Sequence, residues 1–264
     1  MKRALLLSLP LLLLSACGGT APPKPPAVVE RASNADREAK RALRDGDLMV
    51  ARNLFEQSLR LQQSLDNLPG VATASINLAS VQHKMNNDEA ALRLLDGVME
   101  PGTPYPADLR AAAAFRKAVI LVDGASKSAP AAVEAAEQRC GKSCEFTPGL
   151  YNLRARMALA AKDYAPAAGF AKSAADAAGD NKEELANARR NAAAAAHALE
   201  QPGQALEHYL AALELDKQLA LPRRIAEDLE GVSRALEKLG RKDEAASYAR
   251  RAAASRDAAG AGAR

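Results

Sequence analysis

Small apolar residues recur along this chain at helical spacing, and the recurrence itself has a long period. Ala51, Ala91, Ala131, Ala167, Ala205 and Ala245 stand 40, 40, 36, 38 and 40 residues apart. Four residues after them come Phe55, Leu95, Ala135, Ala171, Tyr209 and Ala249, and seven after them Ser58, Val98, Gln138, Ala174, Ala212 and Ala252. Offsets of four and seven share one face of an α-helix. Twelve residues before them, Ala39, Ala79, Val119, Ala155, Ala193 and Ser233 mark a matching place in a preceding helix. The pattern predicts antiparallel helix pairs that cross at small side chains, where the backbones come close. A larger residue one turn on fills the space beside each crossing.

Turn-forming residues fall between the paired helices: Gly46-Asp47, Asn86-Asn87, Lys162-Asp163, Pro202-Gly203 and Gly240. Helix breakers fall between the pairs: Pro69-Gly70, Pro101 to Pro106, Pro148-Gly149, Gly179 to Asn181, and Pro222. Ser128, just ahead of Pro130, reads as a helix N-cap. Much of the apolar content is alanine, the strongest helix former, and β-branched or aromatic alternation is scarce. The predicted fold is all-α.

The segments GDLMVARNLFEQSLRL, NNDEAALRLLDGVM, KDYAPAAGFAKSAA, QPGQALEHYLAALELD and GRKDEAASYARRAAA resemble the tetratricopeptide repeat. The resemblance implies a right-handed superhelix of about six helical hairpins over residues 36–254, ending in a flexible tail at 255–264. A period near 40 predicts extended helices or longer connections than the usual repeat has. The third repeat departs most, through Gln138 and a missing turn glycine. In this family the first helix of each hairpin lines a groove for partners. The candidate partner-binding residues on those helices are Asn152, Arg156, Asn187, Arg190 and Arg234. Each has the donors to hold an extended peptide or its carboxylate.

At the N-terminus, Lys2 and Arg3 precede an apolar run from Ala4 to Leu14. Charge, then a short greasy core, then small residues is the order of a secretory signal, and the run is too short to span a bilayer. Leu14-Ser15-Ala16-Cys17 resembles the bacterial lipobox. That resemblance implies diacylation of Cys17, removal of residues 1–16, and acylation of the new amino terminus. Several acyl chains together anchor stably where one does not. Gly18, in place of an aspartate, favours the periplasmic face of the outer membrane. The four prolines in GGTAPPKPPA oppose a helix, so residues 17–35 read as a lipidated tether, of which the stretch from Gly18 to Ala32 alone reaches about 45 Å.

A net charge of +4, no tryptophan and few aromatics argue against nucleic-acid binding. Cys140 and Cys144 are the one local constellation that carries chemistry. In an oxidising envelope a small disulfide clamp fits them best, because Gly141 and Pro148 end the helix. A redox pair, metal ligation and free thiols are the alternatives. Gly141-Lys142-Ser143 is not a phosphate loop, since Ala136 stands where that motif needs glycine. His83, His197 and His208 form no ligand pair, Gly231 to Ala235 is no nucleophile elbow, and no motif implies a metal or cofactor. The sequence reads as a membrane-anchored, non-enzymatic scaffold for envelope proteins. The alternatives are a pilotin-like assembly lipoprotein for a secretin or pilus machine, or a cell-wall enzyme. The enzyme would need a carboxylate pair or metal cluster that the sequence does not display.

Overall fold

The computed structural model of the chain describes residues 25–261; the signal segment, Cys17 and most of the proline-rich stretch lie outside them. The described residues form twelve α-helices in six antiparallel hairpins. These are α1 (Ala27–Asp45) with α2 (Leu48–Ser64), α3 (Leu68–Lys84) with α4 (Asp88–Met99), and α5 (Ala107–Asp123) with α6 (Ala129–Cys140). They continue with α7 (Thr147–Ala160) and α8 (Tyr164–Ala177), α9 (Lys182–Ala198) and α10 (Pro202–Gln218), and α11 (Pro222–Lys238) and α12 (Lys242–Ala261). Among the described residues no helix is long and apolar enough to cross a membrane.

The alanine register explains how the helices pack. Ala51, Ala91, Ala167, Ala205 and Ala245 are all buried in the second helix of their hairpins, opposite buried Ala39, Ala79, Ala155, Ala193 and Ser233. Phe55 and Leu95, one turn on, are fully buried beside two of those crossings. Burying a side chain of that size contributes about 1.5–3 kcal/mol. Ser233 keeps its hydroxyl satisfied at its crossing by donating to the Ala245 carbonyl at 2.9 Å.

The third hairpin does not follow the predicted register. Ala131 and Gln138 are exposed, Val119 and Ala135 only half-buried, and the buried stripe of α6 runs through Ala129, Val133 and Ala136. That stripe keeps the spacing of four and seven but starts two residues earlier. The connection is the cause: Gly124 to Ser128 separate α5 from α6, where the other hairpins have only two or three residues between their helices. In the sixth hairpin Ala249 is exposed as well, and Ala252 carries the contact.

The punctuation also falls differently from the reading. Pro69, Pro148, Pro202 and Pro222 sit in the first turns of helices α3, α7, α10 and α11 rather than between helices. A first-turn proline has no intrahelical N–H to lose. The turn before α10 is made by Glu200, at φ 56°, not by Pro202-Gly203. Ser128 makes no side-chain cap; its N–H instead donates to the Ser126 hydroxyl oxygen at 3.2 Å. True side-chain caps come from Asn67 on α3 and Asn181 on α9.

Both expected boundaries of the repeat region move outward. Helix α1 begins at Ala27, directly after Pro26, and packs along α2. Its Ala32 and Ala35 are buried, and the Ala32 carbonyl accepts from the Ser58 hydroxyl. The tail is helical to Ala261, and it is tied back where Ser255 Oγ donates to the Pro222 carbonyl and Arg256 pairs with Glu230.

Candidate functional site

The first helices α3, α5, α7, α9 and α11 pack on one another in succession as well as on their hairpin partners. Among the described residues the second helices show no comparable succession of contacts. A layer whose members touch has the smaller radius, so the first helices form the inner wall of the curve. On the outer side two gaps open between successive second helices. One, about 650 Å³, lies between α4 and α6 and is floored by Ala114 and Leu121 of α5. The other, about 360 Å³, lies between α8 and α10 and is floored by Ala188 and Ala192 of α9.

The inner wall divides the five candidate partner-binding residues into two groups. Asn152 is buried: its amide donates to the Glu184 carbonyl at 2.9 Å and the Glu184 carboxylate at 2.8 Å, and its oxygen accepts from Asn191 at 3.0 Å. All of its capacity joins α7 to α9. Arg190 is likewise consumed. Its Nε donates to Asp228 Oδ1 at 2.8 Å, its Nη2 to Asp216, and its Nη1 to Asn187 Oδ1 at 3.0 Å. Asn152 and Arg190 are therefore packing residues between repeats, and Asn187 supports Arg190.

Arg156 and Arg234 remain presented to solvent. Arg156 donates to Asp123 Oδ1 at 2.6 Å while its side chain is 40% exposed. Arg234 lies over the Tyr209 ring, 6.0 Å from the centroid, and is exposed. Tyr151, also on α7, is exposed in the same wall. Asp123 also lies 3.1 Å from His83 Nε2, and His83 Nδ1 lies 2.6 Å from Asp88. These polar contacts link α4, α3, α5 and α7. Burial holds the Arg116 guanidinium of α5 below its usual range, although Glu183, Glu184 and Asp123 oppose the shift.

Two buried carboxylates escaped the sequence reading, Asp216 and Asp228. Asp216 had a visible signal. It lies eleven residues after Ala205, on the same stripe as Tyr209 and Ala212, so a charge occupies a core register. Asp228 sits between buried Ala226 and Leu229. Close packing also shows at Gly231 of α11, where an added Cβ would lie 2.4 Å from the Tyr209 ring.

Cys140 and Cys144 form a disulfide with a Cα–Cα distance of 5.4 Å. Helix α6 ends at Cys140, and Gly141, at φ 69°, turns the chain so that the second cysteine can return. The clamped turn is tied to α7 by the Cys144 N–H, which donates to Thr147 Oγ1 at 3.0 Å. The Phe146 ring stacks on Phe115 at 5.1 Å. A loop this short lends about 2 kcal/mol by the chain-entropy relation. Thiol labelling of unfolded protein from an oxidising compartment, without reductant, is expected to leave both cysteines unmodified. Labelling of both would remove the clamp.

The sequence matches no protein-family model and no curated protein. Solved structures share the fold. BtubC (BKLC) from P. vanneervenii superposes with a TM-score of 0.59 at 15% identity, covering 89% of this chain and 93% of that one. A Rap protein complexed with Competence and Sporulation Factor gives 0.59 at 16% identity, over 86% of this chain and 66% of the Rap chain. The apo form of RapI gives 0.58 at 14% identity, over 82% and 63%. At this identity the likeness establishes architecture: the chain is a tetratricopeptide-like superhelix of helical hairpins.

Proposed function

We propose that this chain is a non-enzymatic scaffold that holds envelope proteins or peptides along its inner wall, and that lipid on Cys17 anchors it to the periplasmic face of the outer membrane. The observation that carries the reading is the division of the inner wall. Asn152 and Arg190 are spent on joining repeats, while Arg156 and Arg234 stay presented on first helices. Planar guanidinium groups held in place, one by Asp123 and one by Tyr209, suit carboxylates and backbone carbonyls of an extended segment. A Rap protein of the same fold was solved with a bound factor, which supports partner binding by this architecture. The lipobox-like Leu14 to Cys17 supports the anchor.

Two measurements test the two halves separately. Mass spectrometry of the mature protein is expected to find an acylated cysteine at residue 17, and Cys17→Ala to abolish it. An unlipidated terminus elsewhere would sink the anchor. Cross-linked pull-downs from the envelope compare wild type with Arg156→Ala/Arg234→Ala, using circular dichroism as the folding control. Loss of the main partner with unchanged ellipticity is expected. An unchanged partner set moves binding off the inner wall.

A further inference from the structure

Three helices of two successive repeats converge on one buried ionic cluster. Asp216 of α10 and Asp228 of α11 are 1% and 0% exposed, and Arg190 of α9 is 16% exposed between them. Arg190 Nε donates to Asp228 Oδ1 at 2.8 Å, Nη2 reaches Asp228 Oδ2 at 3.4 Å, and Nη2 also donates to Asp216. Both carboxylates therefore converge on Nη2 of one guanidinium. One guanidinium cannot neutralise two buried negative charges, and an uncompensated charge in the dry interior is costly.

We propose that Asp228 holds a proton beside Asp216 and Arg190, and that releasing it loosens the last hairpin, α11 and α12, from α9 and α10. The cluster is thus a pH-sensitive latch between the fifth and sixth repeats. Other charges in reach do not replace the proton. On α11, Arg224 acts on Asp216 from a distance but is exposed and hydrogen-bonded to Glu227 at 2.9 Å. On α9, Glu183 adds only negative charge near Arg224. On α10, Lys217 is exposed and turned to Glu214. On α12, Arg256 pairs with Glu230.

Burial pushes the Asp228 carboxyl up from 3.8 to about 7; contact with Asp216 adds to the rise, and Arg190 opposes it. The folded protein keeps this proton to higher pH than the unfolded chain does. The stability this lends is full below about pH 4 and is lost as pH rises toward about 7.

The test uses the full chain, with carboxyl-carbon NMR of labelled aspartate and amide hydrogen exchange. One aspartate carboxyl is expected to titrate near 7, while exposed aspartates titrate near 4. After correction for intrinsic rates, exchange in α11 is expected to be at least about tenfold faster at pH 8 than at pH 5, the effect of one unit of pKa difference. Exchange in α3 and α4 stays level. Asp228→Asn, which keeps the shape and supplies a permanent donor, removes both the high titration and the pH dependence. If that variant does not fold, Asp216→Asn is judged by the same criteria. The proposal is overturned if every wild-type aspartate titrates below about 5, or if α11 exchange has the same pH dependence in wild type and variant.

Discussion

Arg190→Ala is expected to destabilise the C-terminal repeats by about 3–5 kcal/mol, because it strands Asp216 and Asp228 without their cation in a site where both are almost wholly buried. The loss is local at first. In a repeat array each unit is held mainly by its neighbours, so α9 to α12 open before α1 to α6. Urea unfolding of the variant should show an early transition, and hydrogen exchange should assign it to α9–α12. The penalty comes from uncompensated charge, so it is larger at pH 8 than at pH 5, where a proton can take over part of the role of Arg190. Adding Asp216→Asn and Asp228→Asn to Arg190→Ala should recover much of the loss, leaving mainly a cavity. A single Arg190→Ala variant that unfolds at the wild-type urea midpoint would show that the cluster holds nothing.

Ala205→Leu should destabilise the fifth hairpin by about 1–3 kcal/mol, whereas Ala131→Leu should be close to neutral. Ala205 has no exposed surface and packs in one cluster with Ala193, Tyr209, Val232 and Ala235. Extra methylenes there force the crossing helices apart. Ala131 faces the outer gap between α4 and α6, where a larger side chain meets open space. The two substitutions are chemically identical and sit at the same position of the sequence repeat. A difference in melting temperature between them therefore reads out the two-residue shift of the third hairpin. Equal shifts would restore the uniform register and contradict the packing of α6.

The candidate site was only partly legible in the sequence. Arg156, Arg190 and Arg234 look alike as residues on first helices, yet Arg190 is a half-buried strut and the other two are presented. What separates them is the company at long range. The partner of Arg190 on α11 lies 38 residues away, and that of Asn152 on α9 lies 32 away. No local period encodes whether a carboxylate will meet an arginine across a repeat junction. Asp216 was the exception, because a charge in line with Ala205, Tyr209 and Ala212 breaks the stripe visibly.

The sequence by itself determined the helices, their pairing into six hairpins, and five of the six crossings. Those features depend on local periodicity, on alanine's helix propensity, and on turns of a few residues, all written within about forty positions. Only the tertiary structure decided where α1 starts, which stripe α6 buries, and which polar side chains bind the repeats together. These depend on what neighbouring helices offer. The five-residue turn after α5 resets the face of α6, and α2 and α11 supply contacts that hold the first and last of the described helices. The same packing buries Asn152 and covers most of Arg190, and a polar group out of water must spend its hydrogen bonds on the protein around it.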